Sequence, residues 1–118
     1  MKRANLIILL ISIIFFVARC GKSSTGGSTV TDPCLGLSFK FAADVQPIFN
    51  STCSNSSFCH GTNSTNSGGP LTDYNKIFLK RSDIKGQINA GLMPKNGSLT
   101  ADQKNKIICW IDSGAPNN

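Results

Sequence analysis

Apolar positions fall into five groups along the chain, and wherever they are periodic the period is helical. Residues 6–17 (LIILLISIIFFV) form one run broken only by Ser12, and a polar, glycine-rich stretch follows at 21–33. Beyond it, Val45, Ile48 and Phe49 take the i, i+3, i+4 spacing of one helix face. Asp44 is placed to cap that helix, and Pro47 lies in its first turn, where a missing N–H costs little. Tyr74, Ile77 and Phe78 repeat the spacing after Thr72-Asp73. A separate helix is expected from Ser82 or Asp83, with Ile84 and Ile88 on one face and Gly91 ending it. Thr100-Ala101-Asp102-Gln103 has the form of a capping box. Ile107, Ile108 and Ile111 line the helix it opens, and Gly114 with Pro116 stops it. No segment alternates β-branched and polar residues over four or more positions, so strands are not expected. The expected fold class is all-α.

The first apolar group is of another kind. Lys2 and Arg3 precede it and Arg19 follows it. A short basic segment before a 12-residue apolar core is the pattern of a secretory signal, and the run is shorter than the about 20 residues that cross a bilayer. Phe16-Val17-Ala18-Arg19-Cys20 is similar to the end of a bacterial lipoprotein signal, where the thiol of the cysteine takes a diacylglyceryl thioether. Val17 and Ala18 suit that pattern, whereas Arg19 stands where a small residue is usual. A plain signal peptide and an uncleaved anchor are the alternatives. The expected organisation is a signal peptide at 1–19, a lipidated Cys20 with a flexible linker at 20–33, and one domain at 34–118. The resemblance implies an exported protein of the cell envelope, attached to a membrane through Cys20.

Charge changes meaning once its positions are known. Without residues 1–19, nine basic and six acidic residues remain, and the net charge falls from +6 to +3. The basic residues form no cluster larger than Lys80-Arg81 and are not interleaved with aromatics, so nucleic acid is not an expected partner. Lys76, Lys80, Arg81 and Lys85 are either a face that steers an acidic redox partner or ordinary solvated surface. With a single histidine, no glutamate and no phosphate-cradling glycine loop, an enzyme acting on a small-molecule substrate is not expected. The 85 residues from Cys34 to Asn118 are few enough that a disulfide, metal or cofactor is expected to complete the core.

Five cysteines stand at 20, 34, 53, 59 and 109. If Cys20 is lipidated, four remain to be placed. The economical partition is a Cys34–Cys109 disulfide plus a local Cys53/Cys59 unit, although sequence alone allows other pairings. A bridge from 34 to 109 would enclose nearly the whole domain.

Candidate chemistry concentrates in Cys53-Ser54-Asn55-Ser56-Ser57-Phe58-Cys59-His60-Gly61. A Cys-His pair with an earlier cysteine is the pattern by which haem c is attached: two thiols add to the porphyrin vinyl groups, and the histidine reaches the iron. Gly91-Leu92-Met93-Pro94 supplies a soft thioether for the opposite side. With Asp44-Val45-Gln46-Pro47-Ile48-Phe49, Gly68-Gly69-Pro70-Leu71, Tyr74, Leu99-Thr100 and Ile108 through Pro116, these segments resemble, in order, the small c-type cytochrome domain of planctomycete-type cytochromes and exported lipoproteins. The resemblance spans Phe41 to Asn118. It implies a cytochrome c fold, one covalent haem and electron transfer to a redox partner protein. Carried over, Cys53 and Cys59 are the thioether residues, and His60 and Met93 the iron ligands.

One feature departs from the pattern. Five residues separate the cysteines instead of two. Positions i and i+6 lie about 240° apart around a helix of ~3.6 residues per turn, so Cys53 and Cys59 can share one porphyrin edge only if residues 54–58 bulge out. Their serines and asparagine are good loop formers. Two alternatives stay open. One is a haem-free accessory module stapled by Cys34–Cys109 and Cys53–Cys59. The other is a soft-metal site of Cys53, Cys59, His60 and Met93.

Overall fold

The computed structural model describes residues 32–118. The expected signal sequence, Cys20 and the linker up to residue 31 lie outside the described residues. Among the described residues the regular structure is entirely helical, without strands. Helix α1 covers residues 41–53 as three successive segments, Phe41–Val45, Gln46–Ile48 and Phe49–Cys53. Helix α2 is Tyr74–Asn89 and helix α3 is Ala101–Asp112.

Helix α1 begins earlier than Asp44. Lys40 is its N-cap, without a side-chain cap. Asp44 sits inside the first turn and accepts the Lys40 N–H at 2.8 Å, so it satisfies an orphan donor from within the helix. Its first and last segments are wound wide: Gln46 N–H donates to Phe41 and Ser54 N–H to Phe49, each five residues back. Pro47 has no N–H to give, and its ring crowds the carbonyl four residues earlier. Wider turns on either side accommodate it.

The two helices expected between 72 and 91 are one. Asp73 caps α2 by accepting the Lys76 N–H at 3.1 Å. Ile77, Ile84 and Ile88 are all buried, and their spacing keeps them on one face straight through Ser82 and Asp83, which are exposed. Cap-forming residues on the solvent side give the helix no reason to stop. It ends where Gly91 takes φ +69°, a left-handed conformation that glycine adopts without strain.

Helix α3 opens with both halves of the capping box: Gln103 N–H donates to Thr100 Oγ1 at 3.2 Å and Thr100 N–H to Gln103 Oε1 at 2.9 Å. Its buried residues are Ile107, Cys109 and Trp110, whereas Ile108 and Ile111 pack only at the margin of the core. Trp110 is fully buried against Phe41 and Tyr74, with ring centroids 5.4 and 6.4 Å away. Its Nε1–H donates to the Pro116 carbonyl at 2.9 Å. Tyr74 Oη donates to the Ala115 carbonyl at 3.0 Å, and Phe41 N–H to Asn118 Oδ1 at 2.9 Å. Residues 115–118 therefore tie the end of α3 to the starts of α1 and α2.

Cys34 and Cys109 are bonded, with Cα atoms 5.1 Å apart across 75 residues of sequence. This settles the pairing of those two among the possibilities the sequence left open. Of the four cationic side chains on α2, Lys76 pairs with Asp73 and Lys85 with Asp112 on α3. Arg81 stacks 4.0 Å over the Phe78 ring. These three are engaged within the domain.

Candidate functional site

The site is built where α1 stops. Cys53 is the last residue of its wide final segment, and Ser54, at φ −112° and ψ 17°, leaves the helix. Residues 54–60 then loop outward and return, and the His60 N–H donates to the Cys53 carbonyl at 2.9 Å. Inside the loop, the Cys59 and Gly61 N–H groups both donate to the Ser56 carbonyl, at 3.1 and 2.8 Å. A Cβ on Gly61 would lie 2.6 Å from that oxygen and 2.8 Å from the Ser54 carbonyl, so only glycine fits there.

The next turn orients the histidine. His60 Nδ1 lies 2.9 Å from the Gly69 carbonyl oxygen. A carbonyl can only accept, so Nδ1 carries a proton, and in the neutral imidazole Nε2 is the nitrogen available to ligate. A ligating histidine is normally held in this way, through its other nitrogen. Gly68, at φ +96°, runs beside the ring, where an added Cβ would touch His60 Cε1 at 3.6 Å. The Leu71 N–H donates to the His60 carbonyl at 2.8 Å and Ser54 Oγ to the Leu71 carbonyl at 2.6 Å, joining the two arms of the loop.

Met93 arrives from the end of α2. The Leu92 and Met93 N–H groups both donate to the Gln87 carbonyl, at 3.0 and 3.4 Å, so the chain turns sharply after Gly91. Two adjoining cavities, of about 360 and 410 Å³, share Cys53, His60, Ser67, Met93 and Pro94 as walls. These volumes fall in the range of small-molecule and cofactor sites. The first is backed by Phe49, Leu71, Ile84, Ile88 and Leu99, with Lys80 and Gln87 among its polar wall residues. The second includes Phe58, Cys59, Asn66, Lys95 and Asn96.

Cys53, His60 and Met93 therefore border the same space, with Cys59 in the second cavity. Cys34 and Cys109 form the distant staple, and Cys20 lies outside the described residues. Cys53 and Cys59 are free thiols, so of the two bridges in the disulfide-stapled alternative one is present. The half-buried Cys53 thiol is pushed up to about 11, first by desolvation and then by the neighbouring Cys59. Among the described residues, no three His, Cys, Asp or Glu side chains gather as a metal cage.

Several contributors are not marked by the sequence. Ser64 and Asn66 fasten the Cys59 carbonyl, and Gly69 orients His60 through its backbone. The run Gly68-Gly69-Pro70 signals a turn, but not which oxygen the turn presents. Ile84 and Ile88, expected on one helix face, also wall the first cavity. Trp110 packs against Phe41 and Tyr74 and borders neither cavity. No protein-family model, curated protein or solved structure matches the chain.

Proposed function

We propose that this chain is an exported, lipid-anchored monohaem c-type cytochrome that carries electrons, tethered to the membrane through Cys20. The observation that carries the proposal is the pairing of His60 and Met93 on one cavity system, with the His60 ring locked through Nδ1 so that Nε2 is the ligating nitrogen. The residues present fit the group in three respects. The imidazole of His60 and the thioether of Met93 would hold the iron, a donor pair that raises its reduction potential. Two free thiols, Cys53 and Cys59, border the cavities beside the histidine. Phe49, Leu71, Ile84, Ile88 and Leu99 offer an apolar back wall for a macrocycle, while Lys80, Lys95 and Asn96 supply polar groups for its carboxylates.

When bound, the haem iron would supply one-electron chemistry. The chain's own work is to hold it. His60 and Met93 would hold the iron, and Cys53 and Cys59 would hold the porphyrin through its vinyl groups. The apolar wall excludes water, and the disulfide keeps the last helix against the segment that enters the domain. The partner is a redox protein, and neither nucleic acid nor a small-molecule substrate is proposed.

The test is to express the full chain with a haem c maturation system and record its intact mass and pyridine haemochrome. One covalent haem and a c-type α-band are expected, with loss of the band in His60→Ala. A chain recovered without haem would sink the proposal.

A further inference from the structure

Between Cys53 and His60 the chain has no apolar anchor. Phe58, the one large apolar residue among positions 54–58, is 91% exposed. The position of Cys59 therefore depends on hydrogen bonds: its N–H donates to Ser56 within the loop, and its carbonyl is held from one short turn. Ser64 Oγ donates to the Cys59 carbonyl at 2.5 Å. Asn66 Nδ2 has two hydrogens, and its two acceptors are the Phe58 carbonyl at 2.5 Å and the Cys59 carbonyl at 2.9 Å. Ser64 is the buried polar residue of the domain, 7% exposed, and its own N–H donates to the Gly61 carbonyl at 3.1 Å. The same turn reaches the histidine: the Gly69 N–H donates to the Asn66 carbonyl at 2.8 Å, and the Gly69 carbonyl accepts from His60 Nδ1.

We infer that Ser64 and Asn66 are positioning residues for the Cys59 thiol, holding it in attachment range despite the three extra residues in the motif. This rests on the proposed haem function and adds to it the means by which a widened cysteine pair still meets one porphyrin edge. In the step served, the Cys59 S–H adds across a vinyl double bond. Sulfur bonds to the inner carbon, the hydrogen goes to the outer carbon, and the double bond becomes single, with no net oxidation or reduction. Cys53, fixed at the end of α1, does not depend on the clamp.

The variants are Asn66→Ala and the isosteric Asn66→Asp, which lacks both donors. Asn66 is exposed, so neither change disturbs the core. Each full-length variant is matured with haem, alkylated under denaturing conditions without reduction, and analysed by mass and pyridine haemochrome. Wild type is expected to show no alkylatable thiol at 53 or 59. The variants are expected to keep haem on Cys53, expose one alkylatable thiol mapping to Cys59, and show an α-band moved to longer wavelength by the surviving vinyl group. Ser64→Ala should act in the same direction, Ser64→Thr should restore wild-type behaviour, and Thr65→Ala should change nothing. Two thioethers at wild-type occupancy in both Asn66 variants would overturn the assignment alone. A wild-type chain without haem would overturn it together with the proposed function.

Discussion

The backbone N–H of His60 donates to the carbonyl of Cys53 at 2.9 Å, although the two lie seven positions apart in sequence. In a Cys-x-x-Cys-His segment wound as a helix, the same two groups would be four residues apart and bonded as neighbours in the i to i−4 ladder. The bulge at 54–58 thus removes three residues from the helical count and returns the histidine to its place beside the first cysteine. Cys59 keeps its position directly before His60.

Deleting residues 55–57 should therefore be tolerated. It leaves Cys53-Ser54-Phe58-Cys59-His60, in which an ordinary turn can make the 60-to-53 bond. Haem per chain after maturation is expected to equal or exceed the wild-type value. Loss of haem would show that the bulge does more than restore register.

Gly61→Ala should be costly whether or not haem is present. The new methyl group meets two backbone carbonyls, those of Ser56 and Ser54, at 2.6 and 2.8 Å, and neither can swing away as a flexible side chain would. Overpacking of this kind costs about 1–3 kcal/mol. Urea unfolding of the haem-free chain should show a lower midpoint at unchanged slope. An unchanged midpoint would mean that the loop opens freely.

What the sequence disclosed, and what it withheld, follows from how local each signal is. The capping box of α3 needs only Thr100 and Gln103, three residues apart, and it forms as written. Gly91 ends α2 for an equally local reason. The break expected near Ser82 and Asp83 does not occur, because a continuous buried face through Ile77, Ile84 and Ile88 outweighs two cap-forming residues on the solvent side. At the candidate site, residue type and order single out Cys53, Cys59, His60 and Met93, which line the two cavities. The Ser64 and Asn66 bonds were not legible, since serine and asparagine in a Ser/Asn-rich stretch carry no mark of which carbonyl they will meet. The place of Trp110 was not legible either, since it depends on long-range contacts to Phe41 and on the Pro116 carbonyl.

The Cys34–Cys109 bond should be a large contributor to stability. It closes a loop of 75 residues, worth about 4 kcal/mol by loss of denatured-state entropy. Replacing both cysteines by serine, which avoids leaving one thiol unpaired, should lower unfolding free energy by an amount of that order. The deficit should be smaller in haem-loaded protein if covalent haem also constrains the unfolded chain. A double variant as stable as wild type would mean that strain in the native bond cancels the entropic gain.

The last expectation concerns Cys53 in the haem-free chain. Its thiol is raised from an ordinary 9.0 to about 11, because half-burial disfavours the thiolate and the neighbouring Cys59 adds repulsion. The folded state therefore holds this proton more tightly than the unfolded state does. The sign follows: the group's contribution to stability is fully present below pH 9.0 and is lost as pH rises toward about 11, where the folded thiol also ionises. Reactivity gives the sharper measurement. At pH 8 the thiolate fraction is about a hundredfold below that of an ordinary thiol, and the greater nucleophilicity of a more basic thiolate recovers about tenfold of it. Iodoacetamide should thus label Cys53 about ten times more slowly than an unhindered thiol, with a rate that climbs until pH approaches 11. Phe49→Ala, which opens the buried wall beside Cys53, should speed labelling at pH 8. A Cys53 rate that levels off near pH 9.0 in the wild-type chain would show that the thiol is solvated after all.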